Sequence, residues 1–265
     1  MRFGLNIDHI VTLREVRKTY EPEILEALFI AKNTHKVDLI TIHLREDKRH
    51  IQNEDVLRLL EISPLPINIE CSINATITDF LCSLKNKPSK VTIVPENRNE
   101  ITTEGGLDCS LKGLGEVIRA YHNKGVEVSL FIDPLKDALH FARDHQVKQV
   151  EFHTGVYANL HNALYSNANN QIHAISALKD KSPKELKEEL HNAFLQLRKM
   201  SKEAFFMGIT ACAGHGLNYS NVKELLKIPS LRELNIGHSV ISKAVFVGLE
   251  KAILEMAQLI KRYNG

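Results

Sequence analysis

Eight short apolar runs divide the chain, and between them hydrophobic residues recur every three or four positions. The runs lie at Arg2–Asn6, Leu39–Ile42, Ile67–Ile69, Lys90–Val94, Glu127–Ile132, Val147–Phe152, Phe205–Thr210 and Glu233–Ile236. Near-continuous apolar character over such lengths marks parallel strands buried on both faces. Helical spacing is clearest in Glu23–Thr34, with Ile24, Leu25, Leu28, Phe29 and Ala31, and in the stripe Leu186, Leu190, Ala193, Phe194 and Leu197. Ser182, Pro183 and Glu185 open the second helix as an N-cap, a first-turn proline and a capping-box acid. A last helix is expected from about Ser239 to Arg262. Strands alternating with helices eight times predict an α/β fold, a (β/α)8 TIM barrel with extra helices; an open doubly wound sheet fits less well. No segment reads as a linker, so residues 1–265 are expected to form a single domain. Asn159–Asn170, with five asparagines, is expected to be an irregular surface excursion after the sixth strand.

Composition narrows the function classes. A chain of 265 residues that is 43% hydrophobic has enough apolar surface for a sizeable core. A net charge of +2, from 34 basic and 32 acidic residues, supplies no field that points to nucleic acid or a membrane surface. Cys71, Cys82, Cys109 and Cys212 are far apart with no C-x-x-C pair, which argues against a disulfide framework and a structural zinc site. The N-terminus lacks the order of a signal peptide, and no apolar run approaches the roughly 18 residues of a membrane span. Asn74-Ala-Thr76 and Asn218-Tyr-Ser220 then match the glycosylation pattern by chance. A reducing cytoplasm is the expected home.

The chemistry collects where strands end. Asn6-Ile-Asp8-His9 follows the first strand, and His43-Leu-Arg45-Glu46-Asp47-Lys-Arg49-His50 the second. The third ends at Glu70; the fourth leads to Glu96 and Thr102-Thr-Glu104-Gly-Gly106; the fifth ends at Asp133. The sixth yields Glu151-Phe-His153-Thr-Gly155, the seventh Ala213-Gly-His215-Gly216, the eighth Asn235-Ile-Gly237-His238. Parallel barrels build their active sites from these C-terminal ends. Each residue has an ordinary alternative: Glu70 as a solvated strand cap, Asp8 and Asp133 as helix caps, Arg45 to His50 as a solvated loop, the glycines as tight turns. Eight loops ending in convergent polar groups favour one shared site instead, and five of thirteen histidines (His9, His43, His153, His215, His238) fall there.

Two loops point to a ligand. Gly214-His-Gly216 and Gly237-His238-Ser239 offer free backbone N–H groups, and the second opens a helix, whose positive dipole end favours phosphate. Arg17, Arg45 and His50 are expected to add positive charge elsewhere on that face, enough for a second anion. Two anion sites flanking carboxylates and imidazoles imply two phosphorylated substrates, or one with phosphates at both ends.

The quoted strand-end motifs, with Leu107-Asp108, Val128-Ser-Leu-Phe-Ile-Asp133 and Leu217, closely resemble the pyridoxine 5′-phosphate synthase family, in order along almost the whole chain. The departures are Cys212, where the family usually has asparagine, and a longer segment after Tyr157, residues 157–185. The resemblance implies an enzyme that joins 1-deoxy-D-xylulose 5-phosphate to 3-amino-2-oxopropyl phosphate, closing the pyridine ring of vitamin B6 and releasing phosphate and water. It implies His43 and Glu70 as proton acceptors, His215 as proton donor, and Glu151 as stabiliser of a transition state or intermediate. Asn6, Arg17, Gly216, Gly237 and His238 correspond to contacts to the amino-ketone phosphate. Asp8, His9, Arg45, His50 and Thr102 correspond to contacts to the deoxyxylulose phosphate. A homo-octamer built from dimers is implied as well.

Two other classes fit part of the pattern. A metal-dependent barrel hydrolase would use His9, His43, His153, His215 and Glu70 as ligands, but Asp8-His9 lacks the His-x-His spacing that puts two ligands on one side of a strand. A non-catalytic phosphometabolite-binding barrel would keep the glycine loops without needing Glu70 and His43 together. No metal and no organic cofactor are expected.

Overall fold

A computed structural model describes residues 1–96 and 105–262. Its strands are β1 (Arg2–Asn6), β2 (Leu39–His43), β3 (Ile67–Cys71), β4 (Lys90–Ile93), β5 (Glu127–Ile132), β6 (Gln149–His153), β7 (Thr210–Gly214) and β8 (Leu231–Ile236). Each pairs in parallel with the next, and β8 returns to β1, so the expected (β/α)8 barrel is the architecture found. Helices α1 (Asp8–Arg17) and α2 (Ile24–Asn33) fill the first crossover. Among the described residues one helix follows each of the next four strands: α3 (Asn53–Ile62), α4 (Ala75–Ser83), α5 (Leu114–Asn123) and α6 (Lys136–Asp144). Between β6 and β7 run α7 (Gly155–Tyr165), the short α8 (Ser176–Lys179) and the long α9 (Pro183–Phe206). The one-turn α10 (Val222–Leu225) precedes β8, and α11 (His238–Val247) and α12 (Leu249–Arg262) close the chain.

Strand alternation separates two interiors. Ile40 and Ile42, Val91 and Ile93, Val150 and Phe152, Leu234 and Ile236 are buried apolar residues of the core between sheet and helices. The positions between them carry polar side chains that meet inside the barrel. Thr92 Oγ1 donates to Asn68 Oδ1 at 2.8 Å, Asn68 Nδ2 to Thr41 Oγ1 at 3.3 Å, and Lys90 Nζ to Glu233 Oε1 at 2.9 Å. Each fully buried Ile or Leu on the outer face contributes about 1.5–3 kcal/mol. That layer stabilises the barrel and leaves its interior free for polar groups that are buried but bonded.

Three expectations need correction. The seventh strand is not Phe205–Thr210: Phe205 and Phe206 end α9 and are 56% and 69% exposed, and the chain turns at Gly208 (φ 73°) before β7 begins at Thr210. Helical spacing continues through buried Leu197, Met200, Ser201 and Ala204, and outweighs the local β-propensity of two phenylalanines. The last helix is two, because Gly248 at φ 84° stands between α11 and α12 in a conformation that a helix does not continue. The asparagine-rich segment is helical as far as Tyr165, with Tyr157, Ala158, Leu160 and His161 on its buried face. The N-cap of α9 is as expected: Ser182 accepts from the N–H of Glu185, and Glu185 accepts from that of Ser182.

Candidate active site

His43 ends β2 and stands between two carboxyls. Its Nε2 lies 3.0 Å from Glu96 Oε1, and its Nδ1 4.0 Å from Glu70 Oε2 at the end of β3. Glu96 also accepts the backbone N–H of Glu46 at 3.0 Å. Burial works against the Glu96 carboxylate, but the bond to His43 and that N–H hold its pKa below the ordinary value. A carboxylate only accepts, so Nε2 carries the proton, and in neutral His43 the lone pair of Nδ1 faces Glu70. Burial, with the negative charges of Glu151 and Asp8 added, pushes Glu70 well above the usual carboxylate range. Burial pushes Glu151 up to about 7. Two carboxyls of one low-dielectric interior do not ionise independently, and each charge favours the protonated form of the other.

Across the mouth, Glu151 and His153 on β6 face β7. His153 Nδ1 is 3.1 Å from Asp133 Oδ1, and its ring centroid is 5.0 Å from that of His215. Burial, with His153 beside it, pulls His215 down to about 4, so its imidazole is uncharged at neutral pH. His215 holds a left-handed φ of 78°. Thr154 straps that turn: its N–H donates to Gly214 O at 2.9 Å, and its hydroxyl reaches Gly214 O at 2.6 Å and also His215 O. Thr154→Val keeps the shape and removes the hydroxyl. It should cost about 0.5–1.5 kcal/mol, the net worth of a hydrogen bond, and Thr154→Ser should recover most of that. Urea midpoints at unchanged m-value decide it; a Val variant as stable as the parent would show that the strap bears no load.

The two glycine loops meet. Ser239 Oγ donates to Leu217 O at 2.8 Å, joining the start of α11 to the seventh loop. At Gly216 (φ 73°) a Cβ would lie 2.6 Å from Ala158 Cβ, so both conformation and space call for glycine. Gly237 is the N-cap of α11, where first-turn N–H groups have no helical partner. The ring of His238 is 5.3 Å from that of His9. His9 Nδ1 is 2.7 Å from Asp8 Oδ1, a charge contact without hydrogen-bond alignment. Burial opposes the Asp8 carboxylate, yet His9, His50 and His43 hold its pKa at about 2. Asn6 Oδ1 accepts the N–H of Asp8 at 3.0 Å.

Elsewhere the placements differ from expectation. Arg45 is buried but paired with Asp47, Nε to Oδ1 at 3.1 Å and Nη2 to Oδ2 at 3.2 Å. His50 adds no charge at neutral pH in this arrangement, because burial pulls its pKa down to about 4. Arg17 is exposed at the end of α1, and its side chain makes no hydrogen bond or ion pair among the described residues. Thr102 lies outside the described residues. No three His, Cys, Asp or Glu side chains converge as a metal set among the described residues. The five ligands of the hydrolase reading are dispersed: His9 pairs with Asp8, His43 faces Glu70, and His153 faces His215. Glu96, Thr154 and Asn235 are contributors that stand at strand ends in the sequence but carry no role in its reading. Glu96 follows a strand end as the named candidates do, and that position was its signal.

Residues 3–262 match the family described as pyridoxal phosphate biosynthesis protein PdxJ. A pyridoxine 5′-phosphate synthase of Helicobacter pylori (strain Shi470) is 98% identical over 262 residues, covering 99% of this chain and 100% of that protein. The protein of the same name from Aliarcobacter butzleri (strain RM4018) is 48% identical over 263 residues, covering 98% and 99%. Among solved structures, the tryptophan synthase A-subunit of Pyrococcus furiosus superposes with a TM-score of 0.59 at 12% identity, covering 100% of this chain and 97% of that one. A 3-hexulose-6-phosphate synthase gives 0.56 at 14%, covering 98% and 99%. At such identities the likeness is one of fold.

Proposed function

The chain belongs to the PdxJ family of pyridoxal phosphate biosynthesis, and on that premise we propose that its barrel mouth condenses 1-deoxy-D-xylulose 5-phosphate with 3-amino-2-oxopropyl phosphate to pyridoxine 5′-phosphate, releasing phosphate and water. It is an enzyme of vitamin B6 biosynthesis with phosphorylated small-molecule substrates. Among the described residues no helix is long and apolar enough to cross a membrane. A cytoplasmic homo-octamer built from dimers is part of the proposal.

One observation carries the reading: His43 is held by Glu96 at 3.0 Å with its other nitrogen aimed at Glu70. A base oriented by a carboxylate beside a second proton-holding carboxyl suits a reaction in which an amine attacks a ketone, protons are removed and returned, and a carbon–carbon bond closes the ring. His43 accepts through Nδ1. Glu70 accepts once its resting proton has passed on, and His215 donates from a neutral ring N–H. Glu151 stabilises charge that develops between them. Asn6, Arg17, Gly216, Gly237 and His238 hold the amino-ketone phosphate; Asp8, His9, Arg45, His50 and Thr102 hold the deoxyxylulose phosphate.

The direct test mixes purified protein with both phosphates and follows product by absorbance, with and without chelator. Turnover is expected to be the same in both arms. No product at all would remove the reading, and activity lost together with one tightly held zinc or iron per chain would replace this mechanism with a metal-assisted one.

A further inference from the structure

Asn235 lies inside the barrel on β8, between two carboxyls. Its Nδ2 donates a short bond to Glu151 Oε2 and lies 3.4 Å from Glu233 Oε1. Glu233 is itself fixed: Lys90 Nζ at 2.9 Å and Gln149 Nε2 at 3.2 Å share its Oε1, and Arg2 Nη2 is 2.9 Å from its Oε2. The reversed carboxamide would set its oxygen against both carboxylates, so Glu233 fixes which end of Asn235 meets Glu151. Two strand glycines make room for the pair. A Cβ on Gly4 would lie 2.0 Å from Asn235 Oδ1, and one on Gly214 would lie 2.0 Å from Glu151 Oε1. Close approach, not backbone conformation, calls for glycine at both positions.

We propose that Asn235 is a positioning residue for Glu151: a donor clamped by the buried Glu233–Lys90 pair, with the exposed Arg2 on the far oxygen of Glu233, which aims the Glu151 carboxyl into the site and stabilises its ionised form. The inference rests on the reading of Glu151 as a participant in the reaction. The charged and titratable groups around Glu151 are Glu70 on β3, Lys90 on β4, Cys212 on β7 and Glu233 on β8, with Arg2 on β1 paired to Glu233. Burial raises Glu151; Lys90 and Asn235 oppose that rise, and Glu233 adds to it. A buried carboxyl tuned near neutrality gives and takes protons at working pH, whereas the same group without its donor stays protonated.

Two variants separate tuning from mere support. Asn235→Leu keeps the approximate volume and removes the donor, and the ionisation of Glu151 should move up by about one pH unit, the typical effect of one hydrogen bond to a carboxylate. Glu233→Gln keeps the shape and removes a negative charge, and the ionisation should move down. The carboxyl stretch of Glu151 is followed against pH in the full-length protein by infrared difference spectroscopy, with Glu151→Gln as the reference that identifies the band. The pH dependence of kcat/KM is measured on the same samples, where KM for both phosphates should hold and kcat should change. Opposite shifts in the two variants support the proposal, because loss of scaffolding would harm both alike. A carboxyl titration unmoved in both variants overturns it. If Asn235→Leu does not fold, Lys90→Met takes its place with the same upward expectation. If the band shifts as expected while the rate profile stays put, the clamp stands and the catalytic reading of Glu151 falls.

Discussion

Replacing Glu70 by Gln is expected to lower turnover by about 10²–10⁴, the usual contribution of a positioned acid or base, while both substrates still bind. Glu70 lies one residue before the end of β3 with its Oε2 4.0 Å from Nδ1 of His43, and burial beside Glu151 and Asp8 keeps it above the ordinary carboxylate range. Its protonated form is thereby favoured, and glutamine reproduces that form in shape and charge. Substrates that meet the protonated enzyme should notice little difference. Only the steps in which the proton must leave and return are blocked, so the loss should fall on kcat, with calorimetric affinities for the two phosphates nearly unchanged. His43→Asn should behave similarly, since it removes the lone pair at Nδ1. A Glu70→Gln enzyme with parental kcat and a raised KM would make Glu70 a binding contact and undo its assigned role.

Gly237→Asp is expected to weaken the amino-ketone phosphate by roughly ten- to hundred-fold and largely to spare the deoxyxylulose phosphate. A charge-assisted hydrogen bond is worth about 1.5–3 kcal/mol, and each 1.4 kcal/mol is about a factor of ten. The glycine caps α11, and a Cβ there would lie 2.8 Å from Asn6 Cβ and 3.1 Å from Asn6 O. The variant thus adds negative charge at the positive end of a helix and crowds a second proposed contact. Gly237→Ala supplies the crowding alone, and the difference between the two variants isolates the charge. Arg45→Ala should do the reverse and weaken the deoxyxylulose phosphate. Arg49 also pairs with Asp47, which keeps that loop from losing its anchor altogether. Titration of each phosphate into each variant by calorimetry decides it. Equal weakening of both ligands in both proteins would merge the two anion sites into one.

Most of the barrel was legible because its signals are local. A strand buried on both sides needs a short apolar run, and the loop after it needs polar groups; both can be read a few residues at a time. β1 and β5 emerge with the bounds the runs predicted, Arg2–Asn6 and Glu127–Ile132. The errors came where a local signal was outvoted. Phe205 and Phe206 look like a strand and end a helix, since the helical face of α9 is already buried behind them. The segment after Tyr157 looks like a loop, yet Asn159 and Asn162 lie in α7, whose buried Tyr157 hydroxyl donates to Asn221 O at 2.7 Å. Gly248 was readable as a glycine, but only its φ of 84° shows that it parts two helices.

By itself, then, the chain's order of runs, caps and strand-end polar groups pointed to the parallel barrel and placed His43, Glu70, Glu151 and His215 among the groups expected at one end of it, and the family resemblance set those four apart. Those facts depend on periodicity and on residue type at one place in the chain. The tertiary structure decided what each companion meets. Glu96, 53 residues along the chain from His43, orients its ring, and Lys90 and Glu233, 143 residues apart, pair inside the barrel beneath Glu151. It also decided protonation: the same glutamate is a spent surface charge in water and a proton-holding acid when buried beside another. Ionisation depends on the burial and charge that distant strands bring together, and no stretch of sequence contains that information.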